Sequence, residues 1–565
     1  MDLYVADFEA TTEETFNREG LTRVWLSQAR RIDSTFEITQ QGNNLDDFME
    51  WASKGSRPKK IYFHNLKYDG TFIIDFLLRH GVRHLEQGEK PKSNTFKTLI
   101  TDNGVFFSTT YYKKVYKKTN MKIEFVDSLK KLPFSAEEIA KAFNLEVKKG
   151  SIDYDKFRPV GYEPTEEEID YISNDTMIIA QALFKQFEQG MMKMTVASDA
   201  MFSFKNTIGD GKFKYLFPTL TYEADANVRL SYRGGWTYLK VGYSEVLLQN
   251  VVSYDVNSLF PSVMYNDLLP YGVPVYYTGE YKKSKTYPLF IQHISLNARI
   301  KKDHLPTFQA KNNFAFIPTD YITDTKGEMI DLWVTSIDLQ LILDHYNIID
   351  IEYHEGYKFK GGHGIFTEYI DYWYNIKNTS TGAMKTLAKL MLNSLYGKFA
   401  MNPLKIRKEP YLDIEADIVR YKTIIDEKGE PIYTAMASFI TAYARNKTIR
   451  SAQKLYKRFV YADTDSLHLL GIETPDIDID SKRLGAWKYE GLSLQAKFIR
   501  PKTYLKHHEG DEELEVKCAG MPDKVKKQVT FENFSKGAVY TGKLSSKKVK
   551  GGTILKSIDF KIKRG

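Results

Sequence analysis

Two short acidic segments that lie far apart in the chain constrain the fold more than any other feature. They are residues 253–261 (SYDVNSLFP) and residues 461–466 (YADTDS). Apolar residues on both sides of the turn at 463–465 predict a β-hairpin with carboxylates at its tip, where positions i and i+2 share a face. In the earlier segment an apolar run predicts a strand that ends near Asp255, and Pro261 limits the continuation of that strand.

Carboxylates that are held together at strand ends repel each other unless a cation lies between them. Hard oxygen ligands suit Mg²⁺, and a pair of such ions can hold the attacking and leaving oxygens of a phosphoryl transfer. A single Asp-Thr-Asp turn is a weak signal, because Asp is a common turn residue and is usually solvated there. The motifs around it therefore decide how it is interpreted.

A helix with a basic face is predicted between the two acidic segments. Residues 385–397 (KTLAKLMLNSLYG) have the periodicity of a helix that ends at a glycine. Lys385, Lys389 and Asn393 recur at i, i+4 and i+8, so they share one polar face. Beside a metal–carboxylate site, this face suits the phosphates of a nucleoside triphosphate, whereas alone it is more often a solvated face.

The first two hundred residues contain a second set of carboxylates. Asp7 and Glu9 follow a strand-like run, and Asp69 lies where a strand enters a helix. Asp175 lies one turn after Tyr171 in a helix that is predicted to begin near 171 and to end near 188. These four acids can converge on two metal ions, with Tyr171 placed to orient a water molecule.

The composition is that of a multidomain chain. Its 565 residues are 42% hydrophobic, enough for more than one core and roughly three or four domains. The single cysteine, Cys518, excludes an intrachain disulfide framework and fits a reducing compartment. No basic-then-apolar leader precedes the first strand, no apolar run reaches the ~18 residues of a membrane span, and the 11 histidines show no zinc-site spacing.

Positive charge is concentrated at the carboxyl end. The net charge is +8, and residues 521–565 hold 12 Lys and Arg against 3 Asp and Glu. Apolar residues and Gly-containing turns in this segment predict short β-ribbons with a basic face that can follow a DNA backbone. Residues 111–118 (YYKKVYKK) mix aromatic and basic side chains, which is typical of single-strand binding, although a solvated hairpin explains them equally well.

Three motifs, in this order, resemble the polymerase motifs of family B DNA polymerases: Asp-x-x-Ser-Leu-Phe-Pro, Lys-x-x-x-Asn-Ser-x-Tyr-Gly and Tyr-x-Asp-Thr-Asp-Ser. The earlier carboxylates resemble the three exonuclease motifs of the proofreading 3′→5′ nucleases. Further segments are similar to the protein-primed subgroup found in small Bacillus-type phages: residues 128–134, 149–154, 232–235, 502–504 and 517–521.

The resemblance implies an α/β and α+β multidomain fold, with an RNase H-like 3′→5′ exonuclease followed by a right-hand polymerase with palm, fingers, thumb and two insertions. In the subgroup the first insertion, here rich in Tyr and expected to form short strands, is associated with the priming protein. The second is linked to processivity and strand displacement. The implied boundaries are 1–195 (exonuclease), 196–266 and 434–518 (palm), 267–364 and 401–433 (insertions), 365–400 (fingers) and 519–565 (basic thumb).

The resemblance also implies roles for individual residues. The implied ligands of two Mg²⁺ ions at the polymerase centre are Asp255, Val256 and Asp465, with Asp463 in a less direct catalytic role. The implied dNTP contacts are Val256, Phe260, Lys377, Lys385, Lys389, Asn393 and Tyr396. The implied exonuclease centre has the metal ligands Asp7, Glu9, Asp69 and Asp175, assisted by Lys149 and Tyr171. The implied DNA contacts are Asn65, Phe72, Ser128, Leu129, Phe134, Tyr154, Tyr232, Gly234, Gly235, Ser258, Lys502 and Tyr504.

Cofactor, partners and location are implied in the same way. The expected cofactor is Mg²⁺, or Mn²⁺ in its place. The expected partners are a DNA template and primer, dNTPs, single-stranded DNA and a terminal protein whose hydroxyl starts the new strand. The expected form is a monomer in the cytoplasm of an infected bacterial host, without a membrane.

Two positions depart from a familiar member of the subgroup. Phe260 stands where that member has Tyr, and it keeps a ring that can exclude a ribose 2′-OH. Ala10 stands where that member has a hydroxyl residue. The second change removes a contact to single-stranded DNA, so we expect proofreading with weaker binding of the strand.

Three alternatives remain open from the sequence. A dedicated nuclease whose carboxyl-terminal half only binds DNA leaves a set of four residues unexplained: Asp255, Asp463, Asp465 and Lys389. A non-enzymatic basic DNA-binding protein predicts salt-sensitive binding but leaves both acidic clusters unexplained. A polymerase of the same family that starts without a terminal protein is compatible with every motif.

Overall fold

The computed structural model describes residues 1–115, 120–154, 156–309, 321–425 and 429–563. The amino-terminal region is built from β1 (Asp2–Ala10), α1 (Glu13–Glu19), β2 (Val24–Arg31), β3 (Ile38–Gly42), α2 (Leu45–Ser53), β4 (Lys59–Phe63), α3 (Leu66–Arg79), β5 (Arg83–His84), β6 (Thr95–Ile100), β7 (Phe106–Val115), β8 (Asn120–Asp127), a 3₁₀ turn (Ser128–Lys130), α4 (Ala136–Ala142) and α5 (Glu166–Glu188).

The middle of the chain is built from α6 (Val196–Ile208), α7 (Asp210–Leu216), α8 (Tyr222–Leu230), β9 (Thr237–Leu239), β10 (Leu247–Val256), α9 (Leu259–Asn266), β11 (Leu269–Thr278), β12 (Leu289–Ile300), β13 (Ile330–Thr335), α10 (Ser336–His345) and β14 (Tyr346–Gly362). The remainder is built from α11 (Thr367–Thr379), α12 (Gly382–Ser394), α13 (Tyr396–Phe399), β15 (Ile406–Asp413), β16 (Ile418–Ile425), α14 (Thr434–Lys454), β17 (Phe459–Asp463), β18 (Ser466–Leu470), β19 (Trp487–Arg500), β20 (Thr503–His508), β21 (Glu515–Cys518), α15 (Asp523–Lys526), β22 (Val539–Val549) and β23 (Gly552–Lys561).

An eight-stranded sheet in the order β3-β2-β1-β4-β8-β7-β6-β5 organises the amino-terminal region. Side chains alternate across β4, so its two faces join different cores. Tyr62 packs with α5, whereas Ile61 and Phe63 pack with Ile73 of α3. The sheet is therefore covered by α5 on one face and by α3 on the other.

A seven-stranded sheet in the order β21-β20-β19-β10-β18-β17-β9 forms the centre of the region that follows the first sheet. Strand β10 lies between β18 and β19 and is antiparallel to both. The hairpin of β17 and β18 confirms the hairpin predicted around residues 463–465. Helix α14 packs on this layer with a largely buried surface.

The first insertion contains long strands, so the expectation of short strands was wrong. Its sheet has the order β11-β14-β12-β13, and β14 alone has 17 residues. Strand β14 pairs with β11 on one edge and with β12 on the other. It is paired with β12 over residues 346–359 and with β11 over residues 355–362, so every part of it has a partner strand, which stabilises an extended strand of this length.

The second insertion is a hairpin of β15 and β16, and the basic carboxyl-terminal segment is a hairpin of β22 and β23, as its pattern predicts. The two hairpins meet. Lys548 lies over the ring of Tyr421 at 3.7 Å, and Lys550 Nζ lies 2.7 Å from Asp417 Oδ2. Arg79 of α3 donates to Asp417 Oδ1 at 2.5 Å, so Asp417 joins three parts of the chain.

Two predicted helix ends differ from the structure. The helix with Asp175 begins at Glu166, because Thr165 and Glu168 form a capping box there. The basic helix ends at Ser394, and Gly397 lies inside α13 with an ordinary backbone conformation rather than at a glycine cap.

Residues 116–118 of the aromatic–basic segment and residues 426–428 of the second insertion lie outside the described residues. In the described part of the chain, every helix is too short or too polar to span a bilayer.

A buried ion pair joins the end of the 3₁₀ turn to helix α6. Lys131 Nζ lies 2.5 Å from Asp199 Oδ2, and their side chains are 0% and 1% exposed. The same ammonium donates to the carbonyls of Met191 and Lys193. Removal of one partner leaves a buried charge without its counter-charge, which is strongly destabilising.

We expect Lys131→Met to lower the free energy of unfolding by about 3–5 kcal/mol, measured by denaturant titration of the transition that melts this region. Lys141→Met is the matched control, because Lys141 pairs with Glu137 on the exposed surface of α4. The control should leave the transition unchanged. Equal midpoints for Lys131→Met and the wild type would contradict a stabilising role for the buried pair.

Candidate active sites

Strand pairing brings two carboxylates together at one end of the central sheet. Asp255 at the end of β10 lies opposite Ser466 of β18, and the amide of Val256 donates to the carbonyl of Asp465 at 2.8 Å. Burial raises the pKa of Asp255 to about 7, and the negative charges of Asp465 and Glu490 add to this effect. Burial also raises the pKa of Asp465, so the two carboxylates disfavour joint ionisation unless a cation lies nearby.

Asp463 has different surroundings, although it is only two positions from Asp465. Thr464 between them has a left-handed backbone conformation, with φ of 63°, so strand alternation does not continue through the turn. Asp463 Oδ1 accepts hydrogen bonds from Thr237 Oγ1 and from Lys502 Nζ, each at 3.0 Å. Asp463 therefore ties β9 and the start of β20 to the hairpin tip.

The backbone at residues 234–235 packs against the same hairpin turn. A Cβ atom on Gly235 would lie 2.5 Å from Thr464 Cγ2, closer than any real contact of this kind. Arg445 donates to the carbonyls of Arg233 and Gly234 at 2.8 and 2.7 Å and so fixes the segment from the other side. Only glycine at 235 permits this close approach.

Lysine side chains converge beside the carboxylates of the central sheet. Lys385, Lys389 and Asn393 lie on the exposed face of α12, and Leu387 is buried on the opposite side, as the periodicity predicts. Burial lowers the pKa of Lys377 to about 8, and the positive charges of Lys389 and Lys385 contribute to the shift. This concentration of positive charge provides an electrostatic site for an anion such as a triphosphate.

Two stacked aromatic rings join helices α9 and α13. Phe260 of α9 stacks on Tyr396 of α13, with ring centroids 4.1 Å apart and ring planes 23° apart. Ser258 has a left-handed backbone conformation and accepts a hydrogen bond from Lys377 Nζ at 2.8 Å. Residues of the first and second polymerase motifs are therefore in direct contact.

The four acids predicted in the amino-terminal region lie within electrostatic range of one another. Burial raises the pKa of Asp7 to about 7, with a further contribution from Asp175. Burial also raises the pKa of Glu9 and of Asp69, and the charge of Asp7 adds to both shifts. Strand β1 supplies two of these acids, the first turn of α3 supplies the third and α5 supplies the fourth.

Polar side chains border this second centre. Lys149 Nζ lies 3.1 Å from Asp175 Oδ2. The hydroxyls of Tyr154 and Tyr171 are 2.6 Å apart, and Tyr171 is almost fully buried whereas Tyr154 is exposed. Tyr154 therefore connects the buried centre to the surface.

Asp127 is a feature of this region that the sequence reasoning missed. Its Oδ1 atom accepts hydrogen bonds from the amides of Asn65 and Leu66 at 3.1 and 3.4 Å and of Leu129 at 3.0 Å. Asp127 thus holds the start of α3, which carries Asp69. The only available signal was an acid at the end of a strand, just before residues 128–134.

The residues expected to contact DNA are not all at the surface. Asn65 and Tyr154 are exposed, and Leu129 and Phe134 are half-buried, around the second centre. Gly234, Ser258 and Lys502 are accessible around the first, where Tyr232 and Tyr504 are half-buried. Ser128 is fully buried and its hydroxyl donates to the carbonyl of Phe63. Phe72 is also fully buried and packs against Gly552 of the carboxyl-terminal hairpin, so neither side chain reaches the surface in this conformation.

Both centres offer the oxygen ligands that Mg²⁺ prefers. At the second centre, one oxygen each of Asp69 and Asp175 is buried without a hydrogen-bond partner, a costly arrangement that a bound cation would relieve. At the first centre, half-buried carboxylates with raised pKa values lie beside the backbone of Val256. The oxygen ligands are those of a hard cation rather than of a soft one.

The fold that holds these two centres is that of a DNA polymerase with a second, nuclease-like domain in the same chain. A family model described as DNA polymerase type B, organellar and viral, matches residues 53–165 and 152–484. The chain belongs to this family, and the alternatives of a dedicated nuclease and of a non-enzymatic DNA-binding protein are thereby excluded.

Within this family, the chain is similar over its whole length to DNA polymerases of phages. The chain is 43% identical to the DNA polymerase of Bacillus phage phi29 over 99% of both chains, and 35% identical to that of Streptococcus phage Cp-1 over 99% of this chain and 98% of the other. A solved structure of phi29 DNA polymerase with primer-template DNA and incoming nucleotide substrates superimposes with a TM-score of 0.93 over 100% of both chains. Its complex with single-stranded DNA gives a TM-score of 0.92, again over 100% of both chains, at 42% identity. The resemblance to polymerases of small Bacillus phages and the expected fold are confirmed.

We expect Gly235→Ala to lower primer extension strongly, because the new methyl group displaces Thr464 and with it the hairpin turn that carries Asp465. Overpacking of this kind costs about 1–3 kcal/mol, which corresponds to a roughly 5- to 150-fold loss of rate if it falls on the active geometry. Gly234→Ala is the matched control, since a Cβ there meets nothing within 4 Å. Single-nucleotide incorporation should separate the two variants, and equal rates would contradict the close-approach argument.

Proposed function

We propose that this DNA polymerase extends a DNA primer at the centre of Asp255 and Asp465 and removes mismatched 3′ ends at the centre of Asp7, Glu9 and Asp69 with Asp175. The observation that carries the proposal is the presence of two separate groups of buried and half-buried carboxylates. Burial and neighbouring negative charge raise the pKa of Asp7 and Asp69 in one group and of Asp255 and Asp465 in the other. Each group lies beside a basic side chain and an exposed tyrosine or lysine that leads to the surface.

At the polymerase centre, Asp255, Asp465 and the carbonyl of Val256 are the proposed ligands for Mg²⁺, or for Mn²⁺ in its place. When bound, the ions supply activation of the primer hydroxyl and neutralisation of the charge on the triphosphate. The exposed lysines of α12 hold the phosphates, and Lys377 adds its charge beside Ser258. Their positive charges repel one another, so an anion between them is favoured.

The aromatic pair shapes the nascent base pair. Phe260, stacked on Tyr396, places a ring under the sugar of the incoming nucleotide, where a 2′-OH has no room. Lys502 and Tyr504 steady the primer terminus next to Asp463, which already accepts a hydrogen bond from Lys502. Template and primer DNA, dNTPs and single-stranded DNA are the proposed partners, because the phi29 relative was solved with these ligands.

At the exonuclease centre, the chain's own residues orient the strand and a water molecule. The hydroxyl of Tyr171 is held by its hydrogen bond to Tyr154, and burial together with the charge of nearby Asp175 raises its pKa. Lys149 holds Asp175 in place and can stabilise negative charge on the phosphate. Asn65, Leu129 and Phe134 present the frayed strand at the rim, whereas the buried Phe72 and Ser128 act through packing.

Initiation from a terminal protein is part of the proposal. Its support is the similarity to the phage polymerases and the presence of an insertion at residues 267–364. A polymerase that starts on an ordinary primer is the remaining alternative, and an origin-initiation assay without the terminal protein distinguishes the two. A monomer in the cytoplasm of an infected bacterial host is the proposed form.

The contact between the second insertion and the thumb supports processive synthesis. The hairpin of β15 and β16 leaves the polymerase region and reaches the hairpin of β22 and β23 through Tyr421 and Asp417. The base of the second hairpin packs on β19 and β20. These contacts close a continuous loop of protein, which can encircle DNA and favour strand displacement.

We expect Asp7→Ala with Asp69→Ala to abolish degradation of single-stranded DNA and to leave primer extension within about twofold of the wild type, because the two centres share no residue. The converse variant, Asp255→Asn, should abolish extension and retain degradation. Both activities are measured on one labelled primer with Mg²⁺, with and without dNTPs. Equal loss of both activities in either variant contradicts the two-centre proposal.

We expect Asp417→Ala to shorten the products made on a primed circular single-stranded template several-fold, because the variant loses ion pairs to Arg79 and Lys550. Asp413→Ala is the matched control, since Asp413 pairs with Arg420 inside the same hairpin. Products are measured without accessory proteins and with a trap that prevents rebinding. Wild-type products no longer than one circle contradict built-in strand displacement.

A further inference from the structure

A group of metal-binding side chains that belongs to neither carboxylate centre lies on the sheet of the first insertion. It consists of His293 on β12, Asp331 on β13 and His354 on β14, and their ligand atoms all lie within 4.8 Å of one another. These residues are far apart in sequence, and strand pairing alone brings them together. No spacing pattern in the sequence indicates them.

The backbone of the sheet aims these side chains at one point. Trp333 of β13 pairs with His293 of β12, and Asp331 two positions earlier points to the same face. The pairing of β12 with β14 has a register irregularity opposite His293, where β14 carries His354 and Glu355. A bulge of this kind redirects side chains, and here it brings His354 within a ring-centroid distance of 4.6 Å from His293.

One potential metal-ligand atom in the group makes no hydrogen bond. Nδ1 of His293 is buried and has no hydrogen-bond partner, although Glu355 Oε1 lies 3.4 Å away. The imidazole ring is held by stacking on Trp333, with centroids 5.0 Å apart and planes 7° apart. A fixed, unpartnered ring nitrogen beside a carboxylate is a ready ligand for a cation.

The other two members are held by a common hydroxyl. Ser295 Oγ donates to Asp331 Oδ1 at 2.5 Å and accepts from His354 Nε2 at 2.7 Å. This network holds both side chains beside His293 and leaves Asp331 Oδ2 and His354 Nδ1 as the atoms that can face an ion. Around a tetrahedral zinc ion, ligand atoms lie about 3.4 Å apart, so the group must contract slightly on binding.

We propose that His293, Asp331 and His354 bind a divalent transition-metal ion of the zinc class, with Glu355 able to supply a fourth ligand. Two imidazoles and one or two carboxylates suit Zn²⁺ and its neighbours, whereas Mg²⁺ prefers the all-oxygen sets of the two carboxylate centres. The ion joins β12, β13 and β14, and Ser295 then serves as an outer hydrogen-bond partner of the ligands. It therefore stabilises the insertion against unfolding.

The test uses the full-length chain, stripped of metal with a chelator and then held in excess Mg²⁺ to occupy the all-oxygen sites. Zn²⁺ is titrated by calorimetry, and the metal retained after desalting is counted by mass spectrometry. We expect the wild type to retain one more Zn²⁺ per chain than His354→Ala, and to gain thermal stability with Zn²⁺ that the variant does not gain. Co²⁺ should give visible absorption bands of a nitrogen–oxygen site in the wild type only.

Two further variants control for folding and for other histidines. His363→Ala removes an exposed histidine of the same insertion outside the group and should retain the extra ion. Asp331→Asn keeps the shape of the side chain and should lose the ion without a change in the metal-free melting temperature. Equal Zn²⁺ content in the wild type and Asp331→Asn, or no Zn²⁺ uptake above Mg²⁺ by the wild type, overturns the proposal.

Discussion

The antiparallel register between β10 and β18 is the constraint on which the proposed polymerase centre depends. Val252 and Tyr254 face one core and Val251 faces another, so burial on both faces of β10 fixes which side chains point where. A slip of one residue would reverse every side chain of the strand. The backbone bond from Val256 to Asp465 exists only in this register. The acids are thus positioned by apolar packing, which offsets the cost of holding like charges together.

Both centres hold negatively charged carboxylates close together, but the secondary-structure elements that position them differ. In the central sheet, adjacent strand ends supply the acids, and basic residues come from helices packed beside them. In the amino-terminal sheet, β1 supplies a pair of acids while α3 and α5 close over them from opposite faces. Asp127 shows that the second arrangement needs support of its own, because the amides at the start of α3 require an acceptor.

Local patterns made part of this architecture predictable. The hairpin at 463–465, the exposed face of α12 and the acids of β1 follow from alternation, helical periodicity and turn chemistry within short windows. Features made by distant segments were not predictable. Phe72 is covered by Gly552, Gly235 lies against Thr464, and the histidines of the first insertion meet only after three strands pair. Each depends on contacts between residues whose separation in sequence carries no periodic signal.

Asp417 has a consequence for how DNA enters the protein. The loop of protein formed by the two hairpins is closed by ion pairs and a cation–π contact, not by a covalent bond. Exposed ion pairs weaken as dissolved salt screens them. A circular template has no end to thread, so under the proposed encirclement it enters only while these contacts are open. Ionic strength would then set the balance between admitting a circle and retaining it.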